Sequence, residues 1–261
     1  MVMGPTHAMS GAAAGLAMAA VLPPTWGGPT SVSGAFVFAG VTAGAALLPD
    51  LDSPQATIAR SFGPASQALA HVVERGSAAI HAATSTRRDD HRENGHRTAT
   101  HTLAFAFLAG AGVAALVSAF GKPAVLGVLF LMLGLALRGL FPKWVKKNDW
   151  LMVTGLAAGL SVLAWVASPA SVSGPALGAA VTVGVIAHLV GDAGTKMGVP
   201  LLAPIVSING KRWWDVAPPS MLRIKASGPA DKILLGAFTV LSVVLTYLVL
   251  LAPESLGASW A

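Results

Sequence analysis

The sequence predicts an all-α membrane protein, a polytopic transmembrane bundle of about seven spans, and two observations support this fold class. Of the 261 residues, 54% are hydrophobic and only 11% are charged, whereas soluble domains carry about 25% charged residues. Long uncharged stretches also alternate with three charged segments. Several of these stretches approach the ~20 apolar residues that cross a bilayer. We therefore expect one integral membrane domain over residues 1–261.

The uncharged stretches mark the expected spans in chain order. They are residues 8–22, 34–48, 103–120, 124–137, 151–167, 174–189 and 233–251. Between the second and third of them, residues 66–84 repeat apolar side chains at helical spacing, which predicts an amphipathic helix on the membrane surface. That apolar stripe is Leu69, Val72, Val73 and Ile80. The motif-bearing region covers residues 6–204, and a C-terminal part, 205–261, follows it. Within this part, the composition of residues 212–222, with Trp213, Trp214 and two prolines, predicts an irregular interfacial segment.

The distribution of basic residues predicts the orientation in the membrane. Sixteen of the seventeen Lys and Arg fall in the three charged segments, and only Lys122 lies outside them. Basic loops mark the cytoplasmic side, so we expect the N-terminus inside and the C-terminus outside. The net charge of +6 is then explained by topology, and no nucleic-acid partner is expected.

The absence of cysteine limits the chemistry that the chain can perform. With no cysteine in the sequence, disulfides, thiolate metal sites and cysteine nucleophiles are excluded. Any bound metal must use nitrogen and oxygen ligands.

Ionisable side chains cluster where four of the spans meet the cytoplasmic face, and such groups at membrane depth indicate function. Two of them, His188 and Asp192, are four residues apart and share a helix face. Asp50 and Asp52 flank a single residue after a proline and would point the same way in an extended segment. The predicted metal ligands are His7, Asp50, Asp52, His101, His188 and Asp192, with His96 as a further candidate ligand.

Such a site would hold one or two divalent ions, Zn²⁺, Mn²⁺ or Mg²⁺. A metal can activate water and neutralise a phosphate-like transition state. The predicted catalytic residues are Asp52, His96, Arg97 and Thr100. We expect Arg97 to contact an anionic substrate through its planar guanidinium, and Thr100 to bind the same anion from the first turn of the third span.

Each signal also has a simpler interpretation. An HxxxD pair occurs by chance, the two aspartates can end a span and cap the next element, and His7 can be an interfacial residue. Taken together, the signals favour a metal site more strongly than any one of them does, because the topology brings all four clusters to one membrane face.

The motifs together resemble the YdjM-like family of membrane-bound metal-dependent hydrolases. They are Thr6-His7-xxx-Gly11, Leu48-Pro49-Asp50-Leu51-Asp52, His96-Arg97-xx-Thr100-His101 and His188-xxx-Asp192-xx-Thr195-xx-Gly198-Val199-Pro200-Leu201-xx-Pro204. The resemblance implies a bacterial inner-membrane protein and a metal-dependent hydrolase. The chain departs from the family pattern at Ser53, where the family often has a histidine after Asp-x-Asp.

Three functions fit this pattern. The first is hydrolysis of a lipid-linked phosphoester or diphosphate at the inner leaflet, with membrane lipid as the partner. The second is transport of a metal ion or small solute, although transport sites usually lie near the bilayer midplane. The third is a non-catalytic scaffold in which the metal only ties helix ends together.

Overall fold

The computed structural model describes residues 3–92, 94–142, 150–169 and 172–256, and eight α-helices build the fold within them. The helices are α1 (Gly4–Val21), α2 (Val32–Ala45), α3 (Pro64–Thr84), α4 (Leu103–Phe120), α5 (Lys122–Leu140), α6 (Trp150–Ala167), α7 (Gly174–Ala193) and α8 (Pro229–Leu251). The same ranges contain only isolated β-bridges. The all-α class is confirmed. The basic residues Lys143, Lys146 and Lys147 lie outside the described residues.

Six of the described helices are long and apolar enough to cross a membrane, one fewer than the seven expected. They are Val32–Asp52, Leu103–Phe120, Lys122–Leu140, Trp150–Ala167, Gly174–Ala193 and Pro229–Leu251. The remaining stretch forms α1, whose hydropathy is lowered by its glycines and by the polar Thr6 and His7 at its start. Its 18 residues nevertheless extend about 27 Å, close to the thickness of a bilayer core.

The centre of the bundle is made by α1, α2 and α7, which pack against one another. Around this centre α4 packs on α7, α5 on α2, α8 on α1, and α6 on α5. Small residues permit this close packing: a Cβ at Gly15 would lie 2.7 Å from the Cα of Ala39, and one at Gly44 would lie 1.9 Å from the carbonyl oxygen of Met132. The start of α1 and the ends of α2 and α7 are thereby held together.

The expected surface helix is present as α3, and its apolar stripe faces away from the protein. Leu69, Val72 and Ile80 are exposed. The adjoining side, with Ser66, Ala70, Ser77 and His81, is buried and contacts the turns that follow α2 and precede α4. A stripe that the protein leaves uncovered is what a helix lying on a membrane needs.

The irregular segment 212–222 contains one deviation from expectation. Trp213 was expected at the membrane interface, but it is only 2% exposed. Its indole Nε1 donates to the hydroxyl of Thr84 at 3.1 Å, and its ring packs edge-on against His81. Trp213 therefore joins this segment to the end of α3 instead of anchoring it in lipid.

The orientation of the bundle is a testable prediction. If α1 crosses the membrane as well as the six apolar helices, the two termini lie on opposite sides. Reporter fusions after Ala261 and within residues 87–92 should then give opposite signals, with the charged loop cytoplasmic. Signals from the same side would mean that α1 does not cross.

Candidate metal centre

Four elements that are distant in sequence bring their polar side chains together at one end of the bundle. They are the start of α1 with His7, the 3₁₀ turn Pro49–Asp52 after α2, the 3₁₀ turn Ala99–His101 before α4, and the end of α7 with His188 and Asp192. The side chains of His7, Asp52, His101, His188 and Asp192 are fully or almost fully buried. The convergence expected from the topology is therefore present.

The centre of the cluster is a pair of imidazoles whose Nε2 atoms lie 3.2 Å apart, one from His101 and one from His188. The Nδ1 of His188 lies 2.8 Å from the carbonyl oxygen of Ala46, which can only accept, so this nitrogen carries the proton. Ala46 follows α2, where helix carbonyls lack intrahelical partners. A neutral His188 consequently turns an Nε2 lone pair towards His101.

The second imidazole is oriented in the same way. The Nδ1 of His101 lies 3.2 Å from the carboxylate of Asp52 and 3.0 Å from the Thr100 hydroxyl oxygen. That hydroxyl donates to Asp52, so Nδ1 of His101 is the donor to both groups. If both rings are neutral, two Nε2 lone pairs face each other, and a cation between them would remove the repulsion.

Two carboxylates lie near this pair: Asp192 forms a possible ligand group with His101 and His188, and Asp50 forms one with His7 and His188. Oδ2 of Asp192 lies 3.7 Å from Nε2 of His101 and 3.8 Å from Nε2 of His188. Oδ1 of Asp50 lies 3.9 Å from Nε2 of His188, is buried, and has no hydrogen-bond partner among the described residues. A buried oxygen without a donor is costly and fits a metal ligand.

The spacing of the donors agrees with a metal centre. Two nitrogen ligands at 2.0–2.1 Å from a tetrahedral ion lie about 3.3 Å apart, close to the 3.2 Å between the two Nε2 atoms. Each imidazole also donates its other N–H to a carbonyl or carboxylate, as ligand histidines commonly do. The residues present therefore fit a divalent metal.

Asp52 connects three residues of the chain to this centre. One of its oxygens accepts from Nδ1 of His96 at 2.6 Å. The other accepts from the Thr100 hydroxyl at 2.5 Å and from the backbone N–H of Arg97 at 3.1 Å. It also lies with His96 and His101 in a second group of side chains able to hold an ion.

His96 is the member of the cluster that reaches solvent, since its side chain is 21% exposed while that of Asp52 is fully covered. It lines a cleft of about 360 Å³ together with Arg92, Asn94, Arg97, Met197, Gly198 and Asp215. Burial opposes protonation of His96, but the hydrogen bond and the negative charge of Asp52 outweigh it, so the pKa of His96 is raised. This imidazole is suited to proton exchange with a group in the cleft.

Arg97 lines the cleft, and its guanidinium also binds groups inside the protein. Its contact with substrate stays a prediction; Arg97 is 1% exposed and donates to Asp192 through Nη2. Nη1 donates to the Thr195 hydroxyl at 3.1 Å and to the carbonyl of Gly198 at 2.8 Å. Arg97 also has a φ of 55°, a left-handed conformation that is uncommon for its type. The geometry assigns Arg97 to holding Asp192.

The local structure corrects two further expectations. Pro49–Asp52 is a 3₁₀ turn and not an extended segment, so Asp52 points to His96 and His101 while Asp50 points to His188. Thr100 lies in the turn before α4, and the N-cap of that helix is Thr102, whose hydroxyl accepts from the N–H of Phe105. Thr100 is therefore not in the first helical turn, where its anion-binding role was expected, and its hydroxyl is engaged by Asp52.

His7 lies beside the pair on the α1 side. Its Nε2 is 3.2 Å from Oδ1 of Asp192, and its ring stacks on that of His188 at 3.9 Å between centroids. The neighbouring Thr6 donates to Asp231 of α8 at 2.9 Å, and Asp231 is itself buried. Helix α8 thus fixes the start of α1 and the position of His7.

Sequence reasoning gave no role to several supporting groups, although Thr195 and Gly198 belong to the family motif. The Thr195 hydroxyl donates to the backbone carbonyl of Asp192 at 2.7 Å and accepts from Nη1 of Arg97. Gly198 has a φ of 71°, and a Cβ there would lie 2.6 Å from the carbonyl oxygen of Val216, so only glycine presents this carbonyl to Arg97 without strain. The roles of the Ala46 carbonyl and of Asp231 depend on tertiary contacts that no local pattern indicates.

The comparisons with known proteins give one match. A family model described as YdjM inner membrane protein matches residues 1–142, which is just over half of the 261 residues. The matched range contains His7, Asp50, Asp52, His96 and His101, whereas His188 and Asp192 of α7 lie beyond it. No curated protein and no solved structure was found to match the chain.

Proposed function

Because the chain belongs to the YdjM family of inner membrane proteins, we propose that it is a metal-dependent hydrolase acting at the cytoplasmic leaflet. The proposed substrate is a lipid-linked phosphoester or diphosphate. The observation that carries the proposal is the pair of Nε2 lone pairs of His101 and His188, 3.2 Å apart, with the carboxylates of Asp50 and Asp192 beside them.

These four side chains are the proposed ligands of the metal. A divalent cation held by them would supply Lewis acidity towards a phosphoryl oxygen and lower the pKa of water. Asp52 orients His101 through Nδ1. Arg97 fixes one carboxylate oxygen of Asp192 and also binds Thr195 in the loop that follows. A second ion between Asp52, His96 and His101 is the alternative arrangement, since these three also form a possible ligand group.

His96 is the proposed general acid–base residue. Its Nδ1 is bound to Asp52, which leaves Nε2 for a group in the cleft. A carboxylate that orients a histidine and stabilises its charged form is a recurrent catalytic arrangement. Since His96 is the exposed member of the cluster, a proton can pass through it between the buried centre and the cleft.

The position of the site supports a substrate in the leaflet. The cluster lies at the ends of apolar helices and not at their midpoints, which differs from the midplane sites of transporters. A headgroup could reach the cleft while the lipid tail stays in the membrane. The basic residues of the surrounding segments favour an anionic headgroup.

Turnover of matched substrates tests this proposal. Protein in liposomes should cleave a lipid-linked phosphate with a kcat/KM roughly tenfold or more above that of the same headgroup without its tail, because tail binding positions the reacting centre. His96→Gln should abolish both activities, which assigns them to this site.

Two outcomes would contradict the proposal in different ways. Equal turnover of the two substrates would indicate a water-soluble substrate. Absence of turnover with metal firmly bound would indicate a metal-stabilised scaffold.

A further inference from the structure

The segment between α7 and α8, residues 194–228, leaves large apolar side chains uncovered although it is largely irregular. Ile205 is 77% exposed, Met221 is 96% exposed and Leu222 is 69% exposed. Leu202 and Val206 are also exposed. Apolar surface gains roughly 25 cal/mol per Å² when it leaves water, so clustered residues of this kind indicate a partner.

The turn 200–206 is suited to an apolar environment because its backbone is largely satisfied locally. The N–H groups of Ile205 and Val206 both donate to the carbonyl of Leu202 at 3.0 Å, and that of Ala203 donates to Pro200 at 3.0 Å. The carbonyl of Val206 accepts from the indole of Trp214 at 3.0 Å. Backbone groups that are paired within the protein can approach lipid at a much lower cost than free ones.

The same segment is strongly basic. It contains five basic residues and one acidic residue, a net charge of +4: Lys196, Lys211, Arg212, Arg223 and Lys225 against Asp215. All of the basic residues except Lys211 are exposed. Basic residues near a bilayer surface attract anionic lipid by about 1 kcal/mol each. The charge of the segment therefore favours an anionic leaflet as the partner.

The turn is connected both to a membrane-spanning helix and to the cleft. The N–H of Leu103, the first residue of α4, donates to the carbonyl of Leu201 at 2.9 Å. The preceding residues Met197 and Gly198 line the cleft beside His96. The turn is thus tied to the end of a span and follows the cleft residues closely in the chain.

We propose that Leu202, Ile205 and Val206, here called the apolar turn, insert into an anionic leaflet, so that the cleft opens at the level of the lipid headgroups. The partner is the leaflet itself, recognised by apolar side chains at the turn and by basic residues around it. The further consequence, that the headgroup of a lipid substrate enters past Met197, rests on the proposed function; the insertion does not.

The depth of a spin label tests the insertion. The chain has no cysteine, so a nitroxide can be placed on Ile205→Cys alone. Two matched variants give the reference values: Val240→Cys, which is 64% exposed on the apolar helix α8, and Arg87→Cys, which is exposed in the charged loop. The measured quantity is the ratio of collision rates with oxygen, which partitions into the bilayer, and with a nickel chelate, which stays in water.

In vesicles of phosphatidylcholine and phosphatidylglycerol, the ratio at Ile205 should be several-fold above that at Arg87 and below that at Val240, which lies at the middle of α8. It should fall in vesicles of phosphatidylcholine alone. A ratio equal to that at Arg87 would overturn the insertion, and an equal ratio in both vesicles would overturn the choice of an anionic leaflet. The label reports neither metal nor turnover, so either result leaves the proposed function to its own test.

Discussion

A variant carrying both His101→Ala and Asp192→Ala should purify without bound divalent metal and should have no hydrolase activity. It removes one of the two facing Nε2 atoms and the carboxylate that lies 3.7–3.8 Å from both. Loss of an outer partner alone commonly costs roughly 10–100-fold in metal affinity, so loss of two proposed ligands should cost more than about 100-fold. Elemental analysis after purification measures the result.

The matched control replaces the same residue types outside the cluster. His71 and Asp90 are exposed, so the pair His71→Ala and Asp90→Ala should keep the metal content of the parent protein. Because Asp192 also contacts Arg97, the single variant His101→Gln separates loss of a ligand from loss of folding. Metal retained at the parent level in the double variant would refute the proposed ligand set.

In the metal-free protein, Arg97→Ala should reduce stability by about 3–5 kcal/mol, because it removes the guanidinium partner of a buried carboxylate. Arg97 and Asp192 are both buried, and the guanidinium also holds Thr195 and Gly198. Bound metal should decrease as well, since Asp192 loses the group that orients it. Arg97→Lys should recover little of the lost stability or of the bound metal, because an ammonium group cannot reproduce the planar set of donors of a guanidinium.

The comparison for Arg97 is an ion pair on the surface. Lys211 and Asp90 pair at 3.0 Å with side chains 40% and 81% exposed, and exposed pairs contribute about 0–1 kcal/mol. Lys211→Ala should therefore change the unfolding midpoint far less than Arg97→Ala does. Full stability and full metal content in Arg97→Ala, with activity lost, would return Arg97 to the substrate-binding role first expected from the sequence.

The fold could be predicted from sequence because membrane helices depend on local composition. The uncharged stretches give the spans, and the helical repeat gives α3 to within two residues. Helix α1 is less apolar than the other spans because its glycines and His7 lower its hydropathy. Its place in the centre of the bundle depends on tertiary packing against α2, α7 and α8, which local composition does not indicate.

The meeting of His7, Asp50, His101 and His188 could also be predicted, because antiparallel spans bring alternate helix ends to one face. The roles of the side chains could not. Whether Arg97 points to solvent or to Asp192 depends on a left-handed backbone and on the loop at Gly198. Similarly, the opposite directions of Asp50 and Asp52 follow from a 3₁₀ turn that the Pro49 motif does not distinguish from an extended segment.

The central claim is that His101 and His188 share a divalent metal. The most direct test is elemental analysis of the purified parent protein combined with X-ray absorption at the edge of the metal found. We predict at least one divalent ion per chain and a coordination shell that contains imidazole nitrogen together with carboxylate oxygen. A protein that is folded and metal-free after exposure to Zn²⁺, Mn²⁺ and Mg²⁺, or a shell without imidazole, would contradict the account.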